Sequence, residues 1–342
     1  MSLAAAFAFA LLLSLVFTPA AVRLAWTLGW LDHPEARKLH TSATAVLGGA
    51  AVFVAAFVAW FVAHRVPGVA PDRQAITLLA GSVVVLALGL WDDRFGMQPA
   101  PKLLGQAAAG AIVLASGALP DLGIPAWAAW ALCLVVLVAL MNAVNFLDNM
   151  NGMVAGMSAI ALAAFAWHSA ARGAYGVAAA QLAVSGALVG FLPYNFPRAR
   201  IFLGDAGSLF LGYSLGASAV LAFVNAPAGW GRVGPLLMLA YPAFDMIFVV
   251  VNRLREGRKV YEGGKDHTNH RLASVLRCPI RTVILLWCVT AALCASGLAV
   301  LWLNRPTPAL LASVLWTSLL LPSGLRLSSV PVSRPSPVPP AT

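Results

Sequence analysis

The sequence predicts an all-α integral membrane protein, folded as a polytopic bundle of about 10–11 transmembrane helices. Of its 342 residues, 61% are hydrophobic and only 10% are charged, and the mean hydropathy is +0.85. Soluble domains carry roughly 25% charged residues, so a soluble fold is excluded. Apolar runs of about 18 residues or more, each long enough to cross a bilayer as a helix, recur along the whole chain.

Eleven apolar segments carry this prediction. The first contains no Lys or Arg, which favours a membrane helix over a signal peptide. We assign residues 1–322 to one membrane domain and expect the Ser/Pro-rich residues 323–342 to form a disordered tail. The segments lie at residues 3–22, 46–63, 74–91, 103–119, 126–143, 153–170, 175–192, 206–224, 233–252, 281–303 and 308–322.

The distribution of basic residues predicts the orientation of the chain in the membrane. With eleven spans and an outside N-terminus, the inner loops hold 17 and the outer loops 5 of the 22 Lys and Arg residues. The positive-inside rule then places the inner loops in the cytoplasm. The net charge of +10 is therefore interpreted as a topology signal, and no nucleic-acid partner is expected.

Carboxylates recur where apolar segments meet the inner loops. Asp92 and Asp93, Asp148, Asp205 and Asp266 all stand at such boundaries. Charged groups near hydrocarbon are costly and rarely occur without a partner or a function. Their repetition on one side predicts a metal-assisted active site in catalytic loops at the cytoplasmic surface.

The first motif is the carboxylate pair that ends the third segment, in residues 89–94 (GLWDDR). Lys102 and Gln106 follow at the start of the next segment. Adjacent aspartates at a helix end can hold a divalent ion or serve as acid and base. The alternative is a solvated loop with Arg94 as the countercharge.

The second motif is an amide-rich stretch at the end of the fifth segment. Spacing of three places Asn142, Asn145 and Asp148 along one side of a helix, and Asn149 and Asn151 follow. Buried amides need hydrogen-bond partners. Packing does not explain so many of them in apolar sequence, and a nucleotide base or sugar is a natural partner.

The third motif, residues 202–208 (FLGDAGS), opens the eighth segment. Asp205 there could be a simple N-cap. Alternatively, the flanking glycines allow close approach of a ligand, and a helix N-terminus favours phosphate. If Asp205 also binds Mg²⁺, metal and phosphate are held together.

The fourth motif, residues 266–271 (DHTNHR), lies in the longest inner loop. His267 and His270 would share one helix face and could contact phosphate or shuttle protons, with Arg271 as an anion clamp. The alternative is a polar surface loop.

Together these motifs resemble those of the polyprenyl-phosphate N-acetylhexosamine-1-phosphate transferases, the glycosyl transferase family 4 of bacteria. The family includes initiating transferases of O-antigen and teichoic acid assembly and the phospho-MurNAc-pentapeptide translocase of peptidoglycan synthesis. The resemblance extends over about residues 29–280, with four motifs in the family's order. It implies a multi-pass protein of the bacterial inner (plasma) membrane, and a homodimer is compatible with it.

The resemblance also implies roles for individual residues. Asp92 and Asp93 match the aspartate pair proposed to bind or deprotonate the lipid phosphate, with Lys102 and Gln106 matching the Lys and Gln beside it. Asp205 matches the Mg²⁺ ligand, where Mn²⁺ could substitute. The residues that match the family's substrate-binding positions are Asn145 and Asp148 with Asn149 and Asn151 in the loop near the nucleotide, Phe202 as a stacking partner of uracil, and His267, His270 and Arg271 in the histidine motif. Asp148 is also counted with the catalytic carboxylates.

The sequence departs from the family pattern at several positions. Ala43, Ala45 and Val46 replace two prolines and an arginine of the early loop, Asn151 replaces a carboxylate, and Asn269 interrupts the histidine motif. The triple histidine of the pentapeptide translocase is absent, which favours another branch. A Pro-x-x-Asp match that ends at residue 245 is interpreted as structural.

The expected reaction is attack by undecaprenyl phosphate on the β-phosphorus of a UDP-sugar, with UDP-GlcNAc as the first choice of donor. UMP would leave, and the lipid diphosphate sugar would start cell-envelope glycan assembly. Alternatives are a translocase-like transferase, an inactive relative acting as a scaffold, and a secondary transporter. A transporter would carry its polar residues near the bilayer midplane.

Overall fold

The computed structural model describes residues 3–33, 43–64, 72–260 and 264–331. This part of the chain is almost entirely helical, which confirms the predicted all-α membrane fold. A two-residue strand pair, β1 (Leu31–Asp32) and β2 (Thr44–Ala45), joins the first two helices. The helices are α1 (Leu3–Leu28), α2 (Gly48–Ala63), α3 (Arg73–Phe95), α4 (Pro99–Leu114), α5 (Ala126–Leu147), α6 (Met153–Ala171), α7 (Tyr175–Asn195), α8 (Gly204–Asn225), α9 (Val233–Met238), α10 (Ala240–Arg255), α11 (Thr268–Leu276), α12 (Pro279–Leu303) and α13 (Pro306–Ser328).

Eight of the described helices are long and apolar enough to cross a membrane: α1, α3, α5, α6, α7, α8, α12 and α13. A ninth span results if α9, together with the short 3₁₀ turn before it, is combined with α10 across a bend of 65°. Each of the eleven apolar segments coincides with one of these elements or with α2 or α4. The chain is thus a multi-pass membrane protein.

Counting α2 and α4 with these eight or nine spans gives the predicted number of about 10–11. Each of these two helices has 16 residues. At about 1.5 Å per residue each is about 24 Å long, somewhat shorter than a hydrocarbon core about 30 Å thick. The apolar segment predicted at 103–119 extends beyond the end of its helix, since α4 ends at Leu114 and Gly117 turns the chain with a φ of 92°. Apolar composition alone does not show where a helix stops.

The last helix extends beyond the predicted start of the tail at residue 323, since α13 continues to Ser328 through Pro322. Its terminal carbonyl groups are held by Arg271, whose Nη1 donates to the backbone oxygens of Leu327, Ser328 and Val330. Unpaired carbonyls at a helix C-terminus favour such a cation. The rest of the predicted tail, residues 332–342, lies outside the described residues.

The core of the bundle is centred on α8, whose most apolar stretch is 83% buried, against 22% for α1 and 17% for α13. Glycines let neighbouring helices approach its first turn. A Cβ on Gly89 of α3 would lie 2.4 Å from Cα of Ala206, and one on Gly49 of α2 would lie 2.2 Å from the backbone nitrogen of Gly207. Small residues allow such close approach between membrane helices. The start of α8 is therefore fixed between α2 and α3.

Candidate active site

Four helix ends bring predicted site residues into one cluster. Nζ of Lys102, at the start of α4, lies 2.6 Å from Oδ2 of Asp92 at the end of α3 and 3.3 Å from Oδ2 of Asp205 at the start of α8. Asn145, near the end of α5, donates from Nδ2 to Oδ1 of Asp205 and, at 2.8 Å, to Oγ of Ser208. We call Asp92, Lys102, Asn145 and Asp205 the carboxylate–lysine cluster.

Asp93 has a different role from its neighbour. Its two oxygens accept hydrogen bonds from the backbone N–H groups of Asp205 at 2.7 Å and Ala206 at 3.0 Å. It therefore caps α8 from another helix, as an N-cap carboxylate does within one chain segment. The sequence predicts that these backbone amides could bind a phosphate group, and in the structure Asp93 accepts their hydrogen bonds. Gly204 fits this contact, because its φ is 71° and a Cβ would lie 2.6 Å from Oδ2 of Asp93.

The two aspartates should consequently respond differently to amidation. Asp93→Asn places an amide NH₂ against one of the two N–H donors. We therefore expect the free energy of unfolding to fall by about 1–2 kcal/mol, and activity to fall with it. Asp92→Asn leaves the cap of α8 intact and should reduce activity with a smaller loss of stability. Melting temperature and turnover of the two purified variants, measured side by side, check this. Equal melting temperatures would contradict the assignment of Asp93 as a cap.

Asn142, whose side chain the sequence predicts to face a ligand, is paired with another side-chain amide beside the cluster. Nδ2 of Asn142 donates to Oε1 of Gln106 at 2.7 Å and to the backbone oxygen of Val138 at 2.8 Å. Gln106 is fully buried. The half-buried amide of Asn142 therefore has its partner within the protein, and Gln106 supports α5 against α4.

Asp148 follows directly after α5, beyond the membrane-spanning helix. Burial, and then the charge of Asp205, raise the pKa of Asp148 to about 7. A carboxyl group that resists ionisation this far titrates in the neutral range, where a general acid or base is effective. Asp148 is thus an acid or base candidate next to the carboxylate–lysine cluster.

This raised pKa predicts a pH-dependent stability. The usual pKa of Asp is about 3.9. Because the native state binds this proton more tightly than the unfolded state, stability falls as the pH rises from about 4 to about 7. Asp148→Asn cannot ionise, so its melting temperature relative to the native protein should increase between pH 5 and pH 8. A difference that does not change with pH would contradict the raised pKa.

A metal ion would have to be held largely by substrate. The described residues contain no group of three or more His, Cys, Asp or Glu side chains placed to bind a metal. Mg²⁺ in nucleotide-dependent enzymes is commonly bound by one or two carboxylates, waters and substrate phosphates. Asp205 suits that donor set, because the carboxylate–lysine cluster places one further carboxylate, that of Asp92, and one ammonium group beside it. The residues present therefore fit Mg²⁺ bound together with a phosphate ligand.

The remaining residues predicted near the nucleotide make hydrogen bonds to backbone groups of the protein. Nδ2 of Asn149 donates to the backbone oxygen of Phe146 at 2.7 Å, and Nδ2 of Asn151 donates to that of Pro197 at 3.1 Å. Phe202 is half-buried, and its backbone N–H donates to the oxygen of Ala45 at 2.8 Å. These contacts position the three residues; their predicted contacts with a nucleotide stay a prediction.

The histidine motif begins α11 and is linked to the amide-rich loop. Nδ2 of Asn269 donates to Oδ1 of Asn149 at 2.7 Å, so the residue that interrupts the family's histidine pattern makes this connection. The ring centroid of His267 lies 6.4 Å from those of Phe146 and His270. Burial, and then the positive charge of His267, lower the pKa of His270 to about 4. His270 is therefore neutral at physiological pH.

Two charged residues of this motif are structural by their contacts. Asp266 is 2% exposed and forms a two-point ion pair with Arg253, with both N–O distances 2.8 Å, and a third contact with Arg258 at 2.9 Å. Burial alone would raise the pKa of Asp266, but the hydrogen bonds and charges of these arginines outweigh it and lower the pKa to about 2. Asp266 thus belongs to an internal ion-pair network and is separate from the predicted ring of catalytic carboxylates.

Arg271 does not have the contacts of an anion clamp. It is 2% exposed, donates through Nε to the backbone oxygen of Asp266 and through Nη1 to the end of α13, and lies 5.4 Å from the ring centroid of Phe248. The prediction that it binds substrate phosphate is not supported by this geometry. Its partners on α13 are more than 50 residues away, and no local pattern pointed to them.

The structure also places Asp245 beside the histidine motif, where Oδ2 lies 2.7 Å from Nδ1 of His267. The sequence predicts a structural role for Asp245. A carboxylate within an apolar segment was the available signal, since such groups are rarely retained without a task.

Comparison of the sequence with known proteins shows which family this chain resembles. Residues 75–223 match the profile of glycosyl transferase family 4. A phospho-N-acetylmuramoyl-pentapeptide-transferase of Geobacillus kaustophilus (strain HTA426) is 30% identical over 317 residues, covering 84% of this chain and 93% of the relative. This chain belongs to glycosyl transferase family 4. The family region runs from α3 to α8 and so contains the whole carboxylate–lysine cluster.

Other relatives of this family 4 member carry a different name. A probable undecaprenyl-phosphate N-acetylglucosaminyl 1-phosphate transferase of Bacillus subtilis (strain 168) is 29% identical over 276 residues, 78% of this chain and 76% of the relative. A decaprenyl-phosphate N-acetylglucosaminephosphotransferase of Mycobacterium tuberculosis (strain CDC 1551 / Oshkosh) is 28% identical over 298 residues, 77% and 74% respectively. The resemblance inferred from the motifs is confirmed at the level of the family.

Proposed function

We propose that this family 4 member transfers a sugar 1-phosphate, GlcNAc 1-phosphate as first choice, from a UDP-sugar to undecaprenyl phosphate with release of UMP. One observation carries the proposal: Asp92, Lys102, Asn145 and Asp205 converge from four helices at the same end of the bundle. The names of the relatives from Bacillus and Mycobacterium support a polyprenyl phosphate acceptor and a GlcNAc donor.

The reaction needs charge control more than covalent catalysis. An oxygen of the lipid phosphate attacks the β-phosphorus of the donor, the bond between that phosphorus and the bridging oxygen breaks, and UMP leaves with that oxygen. Catalysis of such a step consists largely of positioning and of stabilising charge on the phosphoryl oxygens. A lysine beside acidic groups at a helix terminus is suited to this, because it can exchange its carboxylate partner for a phosphate oxygen.

The members of the cluster and the neighbouring Asp93 and Asp148 then each have a role. Lys102 attracts the phosphate oxygens, and Asn145 fixes the rotamer of Asp205 by donating to one of its oxygens. Asp93 keeps the first turn of α8 in place beneath Asp205. Asp92 or Asp148 receives the proton of the lipid phosphate when that group binds in its monoanionic form.

Asp205 would hold Mg²⁺ together with the donor diphosphate. The ion, when bound, offsets negative charge on the transferred phosphoryl group. The excess of carboxylates over cations in the cluster is the observation that supports this assignment.

The orientation of the chain follows from its charges. The cluster lies on the side that carries most of the basic loops, so we place the active site at the cytoplasmic face of the bacterial inner membrane. UDP-sugars are cytoplasmic nucleotides, and an undecaprenyl chain would remain in the bilayer beside the bundle.

The test is UMP release by the purified full chain from UDP-GlcNAc, with and without undecaprenyl phosphate and Mg²⁺. Release that requires both supports the proposal. If UDP-GlcNAc gives nothing, a panel of UDP-sugars that includes UDP-MurNAc-pentapeptide decides between a different donor and an inactive relative. Silence across the panel would overturn the proposed function.

A further inference from the structure

His267 contacts the buried carboxylate of Asp245, whose other oxygen already accepts hydrogen bonds. Asp245 is 1% exposed, and its Oδ1 accepts hydrogen bonds from the backbone N–H of Thr268 at 2.8 Å and from the Thr268 hydroxyl at 2.5 Å. Its Oδ2 lies 2.7 Å from Nδ1 of His267. Because an ionised carboxylate can only accept, Nδ1 of His267 must carry the proton. The other ring nitrogen, Nε2, is left for another partner.

The rest of the network leaves Asp245 no freedom to act directly on a ligand. The Tyr241 hydroxyl lies 3.0 Å from that of Thr268. Since the Thr268 hydroxyl donates to Asp245, it accepts from Tyr241, and every polar hydrogen of the network has an acceptor. Asp245 can therefore influence a reaction only through the ring that it orients.

Nε2 of His267 is placed to meet a ligand. It makes no hydrogen bond to a described residue, and it is not among the enclosed polar atoms that lack a partner. The ring lies against Phe146, directly after Asn145 of the carboxylate–lysine cluster. Anions on both sides of an imidazole favour its protonated form, so a ring whose Nδ1–H is held by Asp245 can donate Nε2–H to a phosphate oxygen.

We propose that Asp245 is a positioning residue that presents Nε2–H of His267 to a phosphate oxygen of a nucleoside diphosphate. This inference rests on the proposed function, in which the donor carries that diphosphate. Carboxylate partners orient imidazoles in the same way at metal and catalytic sites. Asp245, a carboxylate within an apolar segment, then has a functional role, and Nε2 of His267 is the atom that contacts the phosphate.

Two substitutions of His267 distinguish its nitrogens. His267→Gln keeps an amide N–H near the position of Nε2, whereas His267→Asn keeps one near that of Nδ1. We expect Asn to weaken UDP binding about tenfold or more and Gln to weaken it much less, with no change in uridine binding for either. The reverse order would mean that only the contact with Asp245 matters, and it would overturn the inference.

Asp245→Asn and Tyr241→Phe form a second matched pair. The amide oxygen of Asn can still accept from Thr268, but its NH₂ faces Nδ1, so Nδ1 loses its acceptor and the ring loses the negative charge that favours its protonated form. The ¹⁵N spectrum of labelled His267 should change in Asp245→Asn and not in Tyr241→Phe, and the KM for the UDP-sugar should rise about tenfold while the KM for the lipid is unchanged. A folded Asp245→Asn protein with native UDP affinity would contradict the proposal.

Binding separates this inference from the proposed function. Calorimetry with UDP and with UDP-GlcNAc needs no turnover and no lipid. Native protein that binds neither overturns the proposed function and the inference with it. Native protein that binds UDP, with the Gln and Asn variants in the wrong order, overturns the inference alone.

Discussion

Asp205→Asn is expected to abolish lipid-dependent UMP release, lowering turnover by about a thousandfold or more. The substitution removes the carboxylate that pairs with Lys102 and that would hold Mg²⁺ with the donor diphosphate. Asn can still accept from Asn145, so the first turn of α8 should stay in place. Because Asp93 supplies the cap of α8, the melting temperature should change little.

Asp121→Asn is the matched control for this prediction. Asp121 is exposed in the loop between α4 and α5, at the opposite end of those helices from Lys102 and Asn145. Its amidation removes the same charge from the chain without touching the cluster, and native turnover is expected. Retention of more than about a tenth of native turnover by Asp205→Asn would show that Asp205 is dispensable.

Asp266→Asn should have the largest effect on stability. Arg253 is 1% exposed; its Nη1 donates to the backbone oxygen of Val260, and its Nε and Nη2 are both directed at the carboxylate of Asp266. An amide accepts from one of them only, which leaves a buried guanidinium charge without its counterion. Removing one partner of a buried ion pair costs about 3–5 kcal/mol. The predicted outcome is a marked fall in melting temperature and in the yield of folded protein.

Glu256→Gln serves as the control for the ion-pair network. Glu256 contacts Arg258, with an N–O distance of 3.3 Å, at the surface, where ion pairs contribute about 0–1 kcal/mol. The stabilisation by Asp266 should also disappear in acid. Its pKa is lowered to about 2 in the fold, so its contribution is complete above about pH 4 and is lost as the pH falls to about 2. Equal melting temperatures for the two variants at neutral pH would contradict the buried network.

Local sequence patterns were sufficient for the helices and for the members of the carboxylate–lysine cluster. Apolar runs locate helices because burial in lipid requires them, and polar residues at helix ends on one side of the membrane must lie at a common surface. Asp92, Asn145 and Asp205 were found in this way. Their grouping needed only the topology, and no knowledge of which helices touch.

The contacts of Asp93 and Arg271 could not be predicted from local patterns. Asp92 and Asp93 are equivalent in sequence, but successive side chains on a helix are turned by about 100°, so one meets Lys102 and the other meets the start of α8. Their separate roles depend on which helix packs on which face. Arg271 likewise appeared suited to an anion, and only the packing of α13 against α11 shows its carbonyl partners.

Tracing the β-phosphorus of the donor tests the central claim most directly. Native protein would be incubated with UDP-GlcNAc carrying ³²P at the β-position, undecaprenyl phosphate and Mg²⁺, and the lipid and nucleotide fractions would be separated. We predict that the label enters the lipid as a diphosphate-linked sugar and that the released UMP is unlabelled. Label recovered in free UDP would show transfer of the sugar without its phosphate, and this result would contradict a phosphoryl-transfer site at the carboxylate–lysine cluster.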